Sequence, residues 1–208
     1  RPLYYSRNLM HKAVKDLYRA GFTALYLNVW SRGSTFHRSN YAPVEGPLQK
    51  AGLALDPICT LSREGHARGM KVVPWFEYGL MEPDDAEVVK LHPDWVLARA
   101  DGNSVVKMHG NHQRVWLNPA HPEVRARFIG VVIEVMKRCK MDGVQLDDHF
   151  AWPVQLGYDP YTVALYQQET GSSPPRDYSD RFWMQWRRRK LTGLLRELRQ
   201  ALEKEKLP

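Results

Sequence analysis

The side chains best suited by type and spacing to acid–base chemistry are Asp147, Asp148 and His149, consecutive in the run Met141–Phe150 (MDGVQLDDHF), and Glu77, near the end of Met70–Tyr78 (MKVVPWFEY). Two carboxylates in one site repel, which keeps one of them protonated near neutral pH, so such a pair can hold an acid and a base together. In an extended chain successive side chains point to opposite faces, so Asp147 and Asp148 cannot both face one cleft. One is expected to act and the other to support it, or to cap the loop by accepting backbone N–H bonds. Glu77 follows Trp75-Phe76, an apolar aromatic setting that disfavours a charged carboxylate and suits a general acid. Its alternative role is as partner of Arg32. His149 could join the aspartates around a metal, but no second histidine cluster accompanies it, so neither metal nor cofactor is expected.

The hydrophobic pattern places these groups at strand ends. Phe22–Trp30 (FTALYLNVW), Met70–Tyr78 and Asp142–Asp148 are short apolar runs of strand type. Helical spacing covers Asn8–Arg19, closed by Gly21, and a segment that opens at Asp56 or Pro57, runs to Ala67 and stops at Gly69. It recurs over Asp84–Leu91, Pro122–Lys140, a short stretch from Asp159-Pro160 to Glu169, and Asp180–Lys206. A loop rich in Gly, Ser, Asn and Pro spans about Ser31–Ala54, and Val115–Pro119 is a short extended piece.

Helices thus alternate with strands that are nearly continuous in apolar residues, which implies parallel strands covered by helices. Every strand ends in polar or aromatic groups: Asn28 and Trp30, then Glu77, then Asp147 and Asp148. Functional residues at the ends of several different strands favour a (β/α)8 TIM-type barrel, and no glycine-rich phosphate loop supports a dinucleotide-binding sheet. A complete barrel takes about 250 residues. With 208 residues and three convincing strands, the expectation is an α/β chain forming part of a barrel as one domain, 1–208.

Composition narrows the classes further. An apolar content of 43% with 11% aromatics can bury a sizeable core. No window approaches the roughly 18 consecutive apolar residues of a membrane span, and the N-terminus has no signal-peptide core. The chain starts at Arg1, which points to a processed or excised piece. Net charge is +7, concentrated in Arg187–Lys190 with Arg196, Arg199, Lys204 and Lys206. That run is expected to be the solvated face of a helix, not a nucleic-acid site. Cys59 and Cys139 lie on apolar helix faces and are expected to be small core residues, unbridged.

An ordered series of motifs carries a resemblance: NVWSRG (28–33), DP (56–57), EGHARGMKVVPWFEYG (64–79), HPDWV (92–96), VWLNP (115–119), HPEVR (121–125), DGVQLDDHF (142–150), GYDPYT (157–162) and WMQWRRRKLT (183–192). Together they resemble the glycosylhydrolase-like family 10 domains, bacterial (β/α)8 proteins, some of which are cell-envelope glycosidases acting on peptidoglycan glycan strands. More distantly, Gly143–Asp147 is similar to the strand of α-amylase glycosidases that ends in the nucleophilic aspartate, with Gln145 where arginine would stand. The resemblance makes Asp147 the leading catalytic residue. It implies an extracytoplasmic or cell-envelope location, and strands that would precede Arg1 and follow Pro208.

A glycosidase needs two carboxyl groups, one as acid and one as nucleophile or base. The partner of Asp147 is expected to be Glu77 or Asp148, or to lie beyond residue 208. Sugars offer apolar C–H faces and hydroxyls, so a glycan cleft combines aromatic platforms with amides and charges. Asn28, Trp30, Arg32, Trp75, Trp116, Asn118, Gln145, His149 and Trp152 are the candidates for substrate contact, whereas Trp95, Trp183 and Trp186 belong in the core. The expected activity is hydrolysis of glycosidic bonds in a polysaccharide. The alternative is a glycan-binding module without catalysis.

Overall fold

The computed structural model describes residues 2–50, 56–108, 110 and 112–208. In chain order its elements are α1 (Arg7–Arg19), β1 (Ala24–Ser31), β2 (Ser34–Thr35), α2 (Gly46–Lys50), α3 (Pro57–His66), β3 (Lys71–Phe76), β4 (Met81–Pro83) and α4 (Glu87–Leu91). There follow β5 (Val106–Lys107), β6 (Gln113–Trp116), α5 (Pro122–Cys139), β7 (Gln145–Leu146), α6 (Pro160–Thr170) and α7 (Arg181–Lys204). The contacts divide the chain into two compact units: Arg1–Glu77 with Ile129–Asp147 and Ala201–Pro208, and Tyr78–Phe128 with Asp148–Gln200.

The first unit is built on a sheet of order β2-β1-β3-β7, in which β1, β3 and β7 are parallel. Successive parallel strands are added on one side only. A doubly wound sheet would reverse direction at a switch point, so this is the wall of a (β/α) barrel. The strand at Phe22–Trp30 starts at Ala24, and its hairpin to β2 turns at Arg32-Gly33, both at positive φ, 53° and 74°. Such a two-residue turn matches the twist of the paired strands.

Helices cover one face of this wall. Ser6 caps α1 by accepting the Leu9 N–H, and Met10 and Val14 are buried. Asp56 caps α3 by accepting the Cys59 N–H at 3.1 Å, with Pro57 in the first turn. Gly65 of α3 lies so close to β3 that a Cβ there would stand 2.7 Å from Val72 Cγ2. The C-terminal part of α5 buries Val131, Val132, Val135 and Met136, as the helical spacing predicts.

The cysteines require a correction. Their helices do bury their apolar faces, but the packing brings the Cα atoms of Cys59 and Cys139 to 4.5 Å, within disulfide range, and the sulfurs are bonded. Ser62 Oγ donates to the Cys139 carbonyl at 2.7 Å beside them. The segment Asp142–Asp148 is also less regular than expected, with only Gln145 and Leu146 in the ladder. Before them the Asp142 N–H donates to the Val72 carbonyl at 2.8 Å, and the Asp142 carboxylate accepts the Val72 N–H at 2.8 Å and bonds His66 and Lys71, so a side chain reinforces a single backbone bond.

The second unit contains an antiparallel sheet of order β4-β6-β5, of which the sequence pattern indicated only the Val115–Trp116 part. The unit buries Val115, Leu117, Val124 and Phe128, and a ring cluster of Tyr166, Trp183 and Trp186 has Trp152, Tyr158 and Leu165 packed against it. Trp95, Trp183 and Trp186 are buried as expected. Glu82 and Arg127 form a buried ion pair at 3.2 Å, and burial pushes the Glu82 carboxyl up despite the arginine. The basic run Arg187–Lys190 is not one solvated face. Arg187 is 3% exposed and donates to the carbonyls of Val154, Leu156 and Tyr178, while burial pushes its pKa down to about 10. Lys190 pairs with Glu169.

Candidate active site

The uncovered face of the first unit's sheet gathers the chemistry. In β1 and β3, Leu25, Leu27, Val29, Val72 and Phe76 are buried, so the alternate residues face the other way. The register sets Tyr26 beside Val73, Asn28 beside Trp75, and Trp75 beside Gln145. One step past the β3–β7 ladder, on the same face, come Glu77 and Asp147. An open trough of about 880 Å³ runs along this face, lined by Tyr26, Val73, Trp75, Gly143, Val144, Gln145 and Leu146.

Both carboxylates are held from neighbouring strands. Trp75 Nε1 donates to Asp147 Oδ2 at 2.9 Å, and Asn28 Nδ2 donates to Glu77 Oε2 at 2.7 Å. Tyr4 in turn donates its hydroxyl to the Asn28 carbonyl at 2.9 Å. These bonds fix the orientation of each carboxylate, which is what a preorganised site requires. Asn28 is thus a partner of Glu77.

The other candidates separate clearly. Asp148 is turned to solvent, with 82% of its side chain exposed, 3.4 Å from His149, whose ring lies 5.9 Å from that of Tyr78. Arg32 is an exposed turn residue. Gln145 and Trp75 line the trough.

Three assignments to substrate contact are corrected by burial. Trp30 is 1% exposed and packs edge-on against Phe76, because the bulge between Asn28 and Trp30 turns it to the covered side. Trp116 is 5% exposed within the antiparallel sheet. Asn118 is fully buried: its amide donates to Asp159 and Thr162 and accepts the Ala120 N–H. Burial raises the Asp159 carboxyl against the bonds it accepts from Thr162 and Asn118. Trp152 is half-buried, donates to the Leu156 carbonyl and meets Trp186 edge-on, so it belongs to the ring cluster.

Tyr26, which the sequence reading did not single out, is 60% exposed over the trough. Its place two residues before Asn28 in a strand was the available signal. A ligand grouping of Asp56, Cys59 and Cys139 also exists, but the disulfide removes both sulfurs from metal chemistry.

A family model described as glycosyl hydrolase-like 10 matches residues 2–207. The chain belongs to the glycosyl hydrolase-like 10 family. This glycosyl hydrolase-like 10 chain is 23% identical over 206 residues to the glycosyl hydrolase YngK of Bacillus subtilis, covering 94% of this chain and 37% of that protein. It is 28% identical over 153 residues to the glycosyl hydrolase DigH of Escherichia coli, covering 64% of this chain and 32% of that protein. The chain therefore spans about a third of the length of these relatives. Among solved structures, an α-L-fucosidase isoenzyme 2 from Paenibacillus thiaminolyticus superposes with a TM-score of 0.70 at 17% identity, over 95% of this chain and 27% of that one. The α-galactosidase TtGalA from Thermus thermophilus gives 0.54 at 18%, over 93% and 33%. At these identities the likeness establishes the barrel fold.

Proposed function

We propose that this chain supplies the catalytic carboxylates of a hydrolase of glycosidic bonds, with Asp147 as the nucleophile and Glu77 as its acid–base partner. The observation that carries the reading is the placement of both, each held by a strand neighbour, on one face at the ends of paired parallel strands. Residues 77 and 147 follow neighbouring strands about 4.8 Å apart, close enough for both carboxylates to reach one glycosidic bond. Trp75 and Tyr26 give the trough aromatic surface for sugar C–H faces, and Gln145 and Asn28 give it amides.

The names of YngK and DigH and the family support a glycan substrate, and a bacterial cell-wall glycan is the substrate class proposed. The disulfide supports work in an oxidising compartment outside the cytoplasm. Among the described residues, no helix is long and apolar enough to cross a membrane.

The test is release of reducing ends from purified peptidoglycan glycan strands, with the anomeric form of the first product followed by NMR. Retained configuration, and a loss of at least about a hundredfold in kcat for Glu77→Gln, fit the proposal. Inverted product, or a Glu77→Gln variant as active as wild type, removes Glu77 from the pair. Calorimetric binding of the strands without any product removes catalysis and leaves a glycan-binding module.

A further inference from the structure

The helix α7 of the second unit carries a feature of its own. Its inward side buries Trp183, Trp186, Leu194 and Leu198, so the opposite side is left to solvent. On that side Arg181, Gln185, Arg188, Arg189, Thr192 and Arg196 line a groove of about 450 Å³. All six are exposed. Among the described residues, no carboxylate lies within ion-pair distance of any of the four arginines; Glu197, on the same helix, is bonded to Arg125.

We propose that this groove binds a linear phosphodiester polymer with hydroxylated units between its phosphates, a polyol phosphate. Guanidinium groups are the side chains suited to bidentate contact with phosphate. Residues three or four apart on a helix stand about 5–6 Å from one another. The row therefore alternates charged and neutral hydrogen-bonding groups: Arg181, Gln185, the Arg188–Arg189 pair, Thr192, Arg196. It extends about 22 Å at 1.5 Å per residue, the form of a strand site.

Two other anionic partners fit less well. The groove's lining holds no ring, and the exposed Phe182 beside it offers a single platform where successive bases need several. Most apolar residues of α7 are buried in the protein, and its exposed Phe182 and Leu195 stand on different sides of the helix, so no continuous apolar face is left to insert into a bilayer. The proposal is independent of the catalytic reading, because none of its residues belongs to the trough.

The test is fluorescence anisotropy of the protein with labelled poly(glycerol phosphate), and with poly(dT) and phosphatidylglycerol vesicles as the competing probes. Binding should weaken with salt with a log–log slope of about −2 to −3, for three or four arginines on phosphate. The triple variant Arg181→Gln, Arg189→Gln, Arg196→Gln should lose about tenfold or more in affinity while glycan hydrolysis and the circular dichroism spectrum stay as in wild type. The corresponding Arg→Lys triple should fall between the two, since it keeps charge and loses the bidentate fork. No binding at low salt, undiminished affinity in the Gln triple, or tighter binding of poly(dT) or of the vesicles would overturn the proposal.

Discussion

Breaking the Cys59–Cys139 bond should cost more stability than any single contact of the first unit. The two residues are 80 apart in sequence. In the chain-entropy account, closing a loop of that length removes about 4.5 kcal/mol of freedom from the unfolded chain, and measured bridges commonly deliver about 2 to 4. A domain is stable by only about 5–15 kcal/mol, so the bond is a large share. Cys59→Ala, Cys139→Ala and the double variant should behave alike, because each breaks the same bond. With a urea dependence of about 2–3 kcal/mol per molar, the denaturation midpoint should fall by roughly 1–2 M, and reductant should produce the same fall in wild type. Unfolding followed by tryptophan fluorescence reads it directly. An unmoved midpoint, or free thiols titrated in the unreduced native protein, would refute the bridge and with it the argument for an oxidising compartment.

Two further outcomes test the interior. Asn118→Ala leaves Asp159 and Thr162 each short of a buried partner, and should lower stability by about 2–4 kcal/mol with KM unchanged; a raised KM at unchanged stability would return Asn118 to the substrate. Burial pushes the Asp142 carboxyl up, but the Val72 N–H, His66 and Lys71 outweigh it and hold its pKa down at about 2. A folded-state value below the unfolded one stabilises at pH above the ordinary carboxylate range, and the benefit is lost as pH falls through about 2. The stability gap between wild type and Asp142→Asn should therefore be full near neutrality and close on acidification, as urea titrations at stepped pH would show; a gap independent of pH would contradict it.

What the sequence revealed and what it hid follow from the range of each interaction. Caps and periodicities are local, so α1, α3, α5 and the three parallel strands were legible from the apolar spacing and Gly21 stop of α1, Asp56, the Val and Met spacing of α5 and the apolar runs. Alternation separated Asp147 from Asp148 without choosing between them, and the family resemblance singled out Asp147. Hidden were features made by residues distant in sequence: the disulfide, the Trp75–Asp147 bond across 72 positions, and the antiparallel sheet, whose strands have two to four residues each. The tryptophans show the same limit. Trp30 and Trp75 both lie late in apolar runs, and only the bulge after Asn28 decides that one is buried and the other lines the trough. Arg187 looked like its neighbours in RRRK until three backbone carbonyls were found around its guanidinium.

The central claim is that Asp147 performs the chemistry. The most direct measurement is the rate of glycan-strand hydrolysis by Asp147→Asn, a change that keeps the side chain's shape and its acceptor for the Trp75 N–H. The account predicts loss of activity by a factor on the order of a thousand or more, with a denaturation midpoint close to that of wild type. A variant that hydrolyses the strands at the wild-type rate would contradict it.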